Sequence, residues 1–394
     1  MTSDTVSFEN TQIAFANKTN KGLRRAYWLF KIINNNFLVS IGPSILKAAQ
    51  AVHLPVLGII KNTLYKQFVG GETIEECSKT IEKLGKYGVH TILDFAVEGA
   101  ASEEDFEKTA EEVIDTINRA AGDDNIPFSV FKPSGIIRFE LMEKVNASKS
   151  LSKSEEEEWE RAKKRFEKIC RQAYDKNVPV FVDAEESWIQ NAIDEITIDM
   201  MRKYNKQSAV VYNTLQLYRH DRLNFLKESH RKAVEENYFL GVKLVRGAYM
   251  EKEKKRAQKL EYKNPIQNSK ADTDRDFNAA QEYCIKNIER ISLCSGTHNE
   301  NSCKLLAAAI NYHSIQRNDK RVYFSQLLGM SDHISFNLAD AGYNVAKYVP
   351  YGPVDTMIPY LTRRAQENTS IAGQMGRELQ LIIKEMKRRK LKSN

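Results

Sequence analysis

From about residue 89 onward the chain alternates between short runs of apolar and β-branched residues and longer stretches of charged, amphipathic sequence. The runs are Val89–Asp94, Phe128–Lys132, Val178–Asp183, Ala209–Thr214, Phe239–Arg246, Ile291–Ser295, Val322–Gln326 and Val345–Val349. Each has the length of a strand, and the gaps hold the dozen or more residues that a parallel crossover needs, so the pattern predicts repeated βαβ units. Eight such units match the count of a (β/α)8 barrel, a TIM-like α/β fold of typically about 250 residues. A doubly wound open sheet is the alternative, but its usual dinucleotide signature, G-x-G-x-x-G, is missing.

The helical stretches carry their own end signals. Ser154 stands before Glu155-Glu156-Glu157-Glu158, which puts acid at a helix N-terminus where the dipole favours it, and Lys163, Lys164, Arg165 and Lys168 follow towards the other end. The glutamate run itself reads as a solvated helix face. Ahead of the repeats, apolar-rich helical stretches run from Leu23 to about Gln50 and from Val56 to Phe68, with breaks at Pro43 and Pro55. The chain therefore divides into an N-terminal helical arm (1–85), a barrel (86–372) and a basic helical tail (373–394).

Composition narrows the class further. With 18 glycines and 9 prolines among 394 residues, turn formers fall well below their usual combined share of about 12%. That disfavours an all-β sandwich, and 42% hydrophobic residues exclude a disordered chain. A net charge of +7 invites a nucleic-acid or membrane reading. Most of that excess, however, sits in Lys384, Lys387, Arg388, Arg389, Lys390 and Lys392, so the body is nearly neutral. Nucleic-acid binding through Arg246–Lys270 and the tail is thereby the weaker alternative. Cys77, Cys170, Cys284, Cys294 and Cys303 form no CxxC pair, which points to a reducing compartment. No apolar run is long enough to span a membrane, and the polar, acid-containing start fits no targeting peptide, so a cytoplasmic protein is expected. The seven histidines share no ligand-like spacing, and no metal is expected.

In such barrels chemistry sits at the C-terminal ends of the strands. Unusual polar residues fall there repeatedly: Asp94 and then Glu98, Lys132, Asp183 with Glu185 and Glu186, Asn213 to Gln216, Lys243 before Arg246-Gly-Ala-Tyr249, Thr297-His-Asn299, Gln326 to Met330, and Tyr348. A lysine at the end of an apolar strand is costly to desolvate unless it meets an anion. Lys132 and Lys243 therefore each call for a negative partner, such as a ligand carboxylate, a cofactor or Asp183. After the eighth run, Pro353 and Pro359 predict a helix beginning near Asp355 or Thr356. Tyr360, one or both of Arg363 and Arg364, and Glu367 then lie along one side of it, a clamp suited to a small carboxylate ligand.

The segments Val242–Tyr249, Gly296–Asn299, Phe324–Met330, Tyr348–Pro353 and Tyr360–Asn368, with Val182–Glu186 and Asn213–Gln216, resemble the proline dehydrogenase (proline oxidase) family, in order, from about residue 65 to 372. The resemblance implies a barrel that holds FAD, oxidises L-proline to Δ1-pyrroline-5-carboxylate and passes electrons to a quinone. It implies that Arg363 and Arg364 grip the proline carboxylate with Lys132, supported by Glu367 and Tyr360. Leu327 and Tyr348 would pack on the ring, and Glu98 would pair with Arg363 over the substrate. Asp183 would lie near flavin and substrate, and Gln216, Val245, Gly247, Ala248, Tyr249, Thr297, His298 and Asn299 would contact FAD. The aromatic ring of Tyr348 favours proline over 4-hydroxyproline, whose oxidation, or that of another cyclic amino acid, is the alternative. Two departures stand out: Lys243 occupies the place, next to the flavin N5, where relatives often have arginine, and Phe131-Lys-Pro-Ser134 replaces a lysine followed by small apolar residues. For an enzyme feeding quinone, the partly amphipathic segment Leu381–Lys390 is expected to rest on an anionic membrane surface.

Overall fold

The structure is a computed structural model and describes residues 6–33, 58, 60–96, 102–370 and 374–391, without the side chains of 365–375. Eight strands form: β1 (Val89–Phe95), β2 (Phe128–Phe131), β3 (Val180–Val182), β4 (Val211–Gln216), β5 (Leu240–Val245), β6 (Ile291–Gly296), β7 (Val322–Leu327) and β8 (Val345–Tyr351). They are ordered β1 to β8 in a closed barrel, and all eight predicted runs are present. The pairings are parallel, with Val89 opposite Val345, Phe181 opposite Tyr212 and Thr214 opposite Lys243. The fold is thus the (β/α)8 barrel that the alternation predicts, because apolar strands buried on both faces need helical crossovers to cover them.

Local chemistry sets the helix ends. Ser102 and Asp105 close a capping box on the helix Glu103–Ala120, and Ser152 and Glu155 close another on Lys153–Lys176. The cap of the second helix is therefore Ser152, where the acidic run points to Ser154. Ser152 accepts the Glu155 backbone N–H while the Glu155 carboxylate turns back to the Ser152 N–H, which leaves Ser154 inside the first turn. The helix after β8 is Ile358–Ser370, starting later than expected. The preceding turn is held by Met357 N–H to the Pro353 carbonyl and by the Thr356 hydroxyl to the same oxygen, so Pro359 occupies the second helical position.

The described chain forms two compact units, one of residues 1–97 and 326–394 and one of residues 98–325. In the second, Phe128 stacks on Phe181 at 4.4 Å between centroids and meets Tyr212 and Tyr323 edge-on, giving an aromatic layer across β2, β3, β4 and β7. In the first, the helices Asn20–Ile33 and Gln374–Arg388 join one apolar core that includes Leu23, Phe30, Leu381, Ile382 and Met386. The arm and the tail marked out in sequence are in one unit with β1 and β8. The apolar side of 381–390 is spent within that core, and Arg389 donates to the carbonyls of Phe15 and Lys18. All five cysteines are buried and unbridged.

Candidate functional site

Within the unit 98–325, three sequence-predicted residues come together. Lys243 of β5 is buried and its ammonium bonds the Asp183 carboxylate just beyond β3, while Lys132 Nζ, just beyond β2, stands 3.9 Å from the other Asp183 oxygen. Lys243 also lies over the Phe181 ring at 5.4 Å, so the aromatic layer forms the floor beneath this cation. The anion that Lys132 and Lys243 require is therefore Asp183. Lys132 keeps 29% of its side chain exposed, against 5% for Lys243.

Around this triad the strand ends are tied to each other by polar groups that the sequence marks at those ends, through pairings that it does not show. Ser134 donates from its backbone N–H and hydroxyl to the two oxygens of Glu185, at 2.8 and 2.5 Å. Pro133–Gly135 forms a single 3-10 turn, so the Lys-Pro-Ser departure has a structural meaning: it hooks the chain after Lys132 onto the β3 loop. Burial pushes the Glu185 carboxyl up to about 7, against the pull of its two hydrogen bonds from Ser134. Gln216 bridges the next gap, donating to the Glu185 carbonyl at 2.7 Å and accepting from Ala248 N–H at 3.1 Å. Arg246 then spans β5 and β6, with Nε on Asp274, Nη1 on Thr297 Oγ1 at 2.6 Å and Nη2 on Ser302 Oγ at 2.9 Å. Arg246 is visible inside the Val-Lys-Leu-Val-Arg-Gly run, but its forked contacts depend on residues of later elements.

The remaining expected cofactor contacts lie at the same strand ends. Val245 is half-buried, Gly247 and Ala248 are exposed, and Tyr249 and His298 are half-buried. Gly247 adopts φ +146°, and a Cβ there would come within 2.5 Å of the Tyr218 ring, so only glycine passes this point easily. Asn299 also has a local task, accepting the Ser302 N–H as cap of the helix Glu300–Tyr312. Thr214 Oγ1, level with Lys243 in the β4–β5 register, is buried with no hydrogen-bond partner among the described residues.

The unit containing β1 and β8 holds the other expected residues. Tyr348 is buried on β8, and its carbonyl accepts the Leu328 N–H at 2.8 Å, which sets the end of β7 and the half-buried Leu327 beside it. Tyr360 is buried, Arg363 and Arg364 are half-buried, and the Arg364 guanidinium lies over the Tyr360 ring at 5.2 Å. Tyr360 and Arg364 are thus neighbours, one helical turn apart as their spacing predicts. Glu98 lies outside the described residues, as does the side chain of Glu367.

Residues 77–377 match the family described as Proline dehydrogenase. The chain is 38% identical over 322 residues to the carbapenem antibiotics biosynthesis protein CarD of Pectobacterium carotovorum subsp. carotovorum, covering 82% of this chain and 83% of that one. It is 33% identical to the mitochondrial proline dehydrogenase 1 of Dictyostelium discoideum, covering 96% and 74%. It is 31% identical to the hydroxyproline dehydrogenase of Xenopus laevis, covering 84% and 78%. Among solved structures it is similar in fold to proline utilization A (PutA) from Bdellovibrio bacteriovorus inactivated by N-propargylglycine, with a TM-score of 0.73 at 19% identity over 96% of this chain. It spans 41% of that longer protein. On the family match and these identities, the chain belongs to the proline dehydrogenase family.

Proposed function

We propose that the protein oxidises L-proline to Δ1-pyrroline-5-carboxylate using bound FAD, with a quinone as the onward acceptor. The observation that carries this reading is the family match over residues 77–377, which includes every strand-end residue described above from Lys132 to Arg364. The residues fit a flavin: a Thr214 hydroxyl, buried without a partner among the described residues and level with Lys243 in the strand register, calls for a polar ligand atom, and the exposed Gly247-Ala248 backbone leaves room for close approach. Asp183, Gln216, Lys243, Val245, Gly247, Ala248, Tyr249, Thr297, His298 and Asn299 would hold it. When bound, FAD supplies a two-electron acceptor for the hydride that leaves the ring carbon next to nitrogen.

The chain's own side chains supply position and charge. Arg363 and Arg364 would take the substrate carboxylate, their forked guanidiniums suiting its two oxygens, and Lys132 would add a third cation. Such a concentration of positive charge favours the neutral amine, whose lone pair the oxidation requires. Leu327 and Tyr348 would close over the apolar ring and exclude water, and Asp183 would hold Lys243 in place and balance its charge. The matching experiment is an anaerobic titration of FAD-loaded protein: L-proline bleaches the flavin absorbance and L-lactate does not. Protein that stays colourless after reconstitution with FAD overturns the reading.

The Xenopus relative raises hydroxyproline as a second substrate. The buried Tyr348 ring speaks for proline, because an added ring hydroxyl would have to be desolvated against it. Comparing L-proline, trans-4-hydroxy-L-proline and D-proline decides between them. We also propose a cytoplasmic location with peripheral contact to an anionic membrane through charge alone, since Leu381, Ile382 and Met386 are buried while Lys387 and Lys390 are exposed. Exchanging Lys387 and Lys390 for glutamate then lowers co-sedimentation with anionic liposomes, and unchanged binding removes the tail from that role.

A further inference from the structure

The turn that follows β7 is held far more tightly than a surface turn requires. Gly329 has φ +77°, and a Cβ there would fall 2.1 Å from the Gln67 carbonyl. Gln67 in turn donates its side-chain amide to the Gly329 carbonyl at 2.8 Å. Lys347, wholly buried in the middle of β8, directs its ammonium at the Met330 carbonyl (2.5 Å), the Leu327 carbonyl (3.4 Å) and Asp332 Oδ1 (3.0 Å), one acceptor for each of its three donors. The other Asp332 oxygen takes Lys18 of the N-terminal segment at 3.0 Å. Ser331, in a left-handed conformation at φ 51°, donates its N–H to the buried Glu378 of the helix Gln374–Arg388 at 2.8 Å.

Five consecutive residues, from Leu328 to Asp332, are therefore each bonded by a group from elsewhere in the chain: Tyr348, Gln67, Lys347, Glu378 and Lys18. Such a concentration of bonds is costly. Burial alone would raise the Asp332 pKa, but Lys18 and Lys347 outweigh it and hold the carboxyl well below its usual range, while burial lowers the Lys347 ammonium despite Asp332. A buried ion cluster of this kind gives little net stability over an apolar core of the same volume. What it does give is one fixed geometry for the turn, at the C-terminal end of a barrel strand, where substrates bind in this architecture.

We propose that Lys347, Lys18, Gln67 and Glu378 are positioning residues that fix the β7 turn, and through it Leu327 beside Tyr348, so that the N-terminal arm and C-terminal helix set discrimination among cyclic amino acids. The proposal rests on the preceding reading for the claim that Leu327 and Tyr348 meet the substrate ring. Because Lys347 and Tyr348 are adjacent on a strand, they point to opposite faces, and the same β8 segment thus grips the turn with one residue and the pocket with the next.

The test is steady-state kinetics of FAD-loaded Lys347→Met, which leaves Asp332 paired with Lys18, alongside Gln67→Leu, Glu378→Leu and Glu378→Gln. In Lys347→Met and Gln67→Leu, KM for L-proline is expected to rise about tenfold with kcat within about twofold, and the preference for L-proline over trans-4-hydroxy-L-proline to fall about fivefold. Glu378→Leu shows the same change and Glu378→Gln, which keeps the acceptor, restores it. Variants that lose thermal stability but keep KM and substrate preference overturn the proposal, because a merely structural role moves only the former. Should Lys347→Met not fold, Gln67→Leu, which removes no charge, decides the matter. Hydrogen exchange over residues 326–336 reads the clasp without substrate: faster exchange in the variants supports it and unchanged exchange overturns it. Wild-type protein that is inert towards L-proline counts against the proline reading alone, since the exchange result stands independently.

Discussion

Two triads of the same composition, Lys–Asp–Lys, sit in this molecule and have different fates. In Lys18–Asp332–Lys347 the side-chain exposures are 13, 4 and 0%, and both aspartate oxygens are taken at 3.0 Å. In Lys132–Asp183–Lys243 they are 29, 16 and 5%, with one short contact and one at 3.9 Å. The first is sealed, its donors spent on carbonyls and carboxylate. The second is more open to solvent, most so at Lys132, whose ammonium stands 3.9 Å from Asp183. Identical residues thus make a fastening in one place and, on the proposed reading, a substrate-facing group in another, and the difference lies in how much water each retains.

The largest effect expected from this comparison is on stability. Asp332→Asn removes the carboxylate that Lys18 and Lys347 share and costs about 3–5 kcal/mol, measured by urea unfolding; a loss below about 1 kcal/mol would erase the distinction between the triads. Next is Arg363→Met, which on the proposed reading removes a forked contact to the substrate carboxylate. KM for L-proline is expected to rise about 30-fold or more, about 2 kcal/mol, with flavin absorbance retained, and an unaltered KM takes Arg363 out of the clamp.

A smaller effect separates the open triad's neighbour, Glu185, from ordinary carboxylates. Its pKa is raised to about 7, so the folded protein keeps a proton that the unfolded chain releases near pH 4.5. Wild-type stability is therefore spared below pH 4.5 and falls as pH rises through 7. Glu185→Gln can still accept from the Ser134 N–H and has no charge to bury. Its stability relative to wild type should climb across that window by about 2–3 kcal/mol and level off above it; a flat difference between pH 4.5 and 8 contradicts the assignment. The smallest stability change is at Lys132. Lys132→Met should alter the unfolding free energy by less than about 1 kcal/mol while raising KM for L-proline about fivefold. A large stability loss with unchanged KM would show that the open triad is a second fastening.

Much of the architecture is legible without coordinates. All eight strands follow from apolar runs such as Val178–Asp183, because only strands buried on both faces read as continuous apolar sequence between amphipathic helices. The pairing of Lys132 and Lys243 with Asp183 is also within reach, since a lysine at the end of an apolar strand demands an anion and Asp183 ends the strand next to that of Lys132 and two away from that of Lys243. Helix ends are less exact. Ser152 and Ser154 are both competent caps, and only the return bond from Glu155 selects the first. Lys347 gives no such signal. Val-Ala-Lys-Tyr-Val reads as a strand with one polar residue, and nothing in that spacing announces that the other face of β8 meets Asp332, with Lys18 behind it.

The sequence by itself determined the periodic part of this protein: strand order, crossover helices, and the strand ends at which charged residues gather. Local pattern suffices there because burial acts on each element according to its own period. Only the tertiary structure decided which charges are sealed and which stay open. That choice depends on closure of the chain, which brings the N-terminal Lys18 and the C-terminal Glu378 onto one turn and gives Asp332 and Ser331 partners that no local spacing encodes. Coulomb energy and desolvation depend on the distances between such groups and on the water left around them, and both are set only when the ends of the chain have packed.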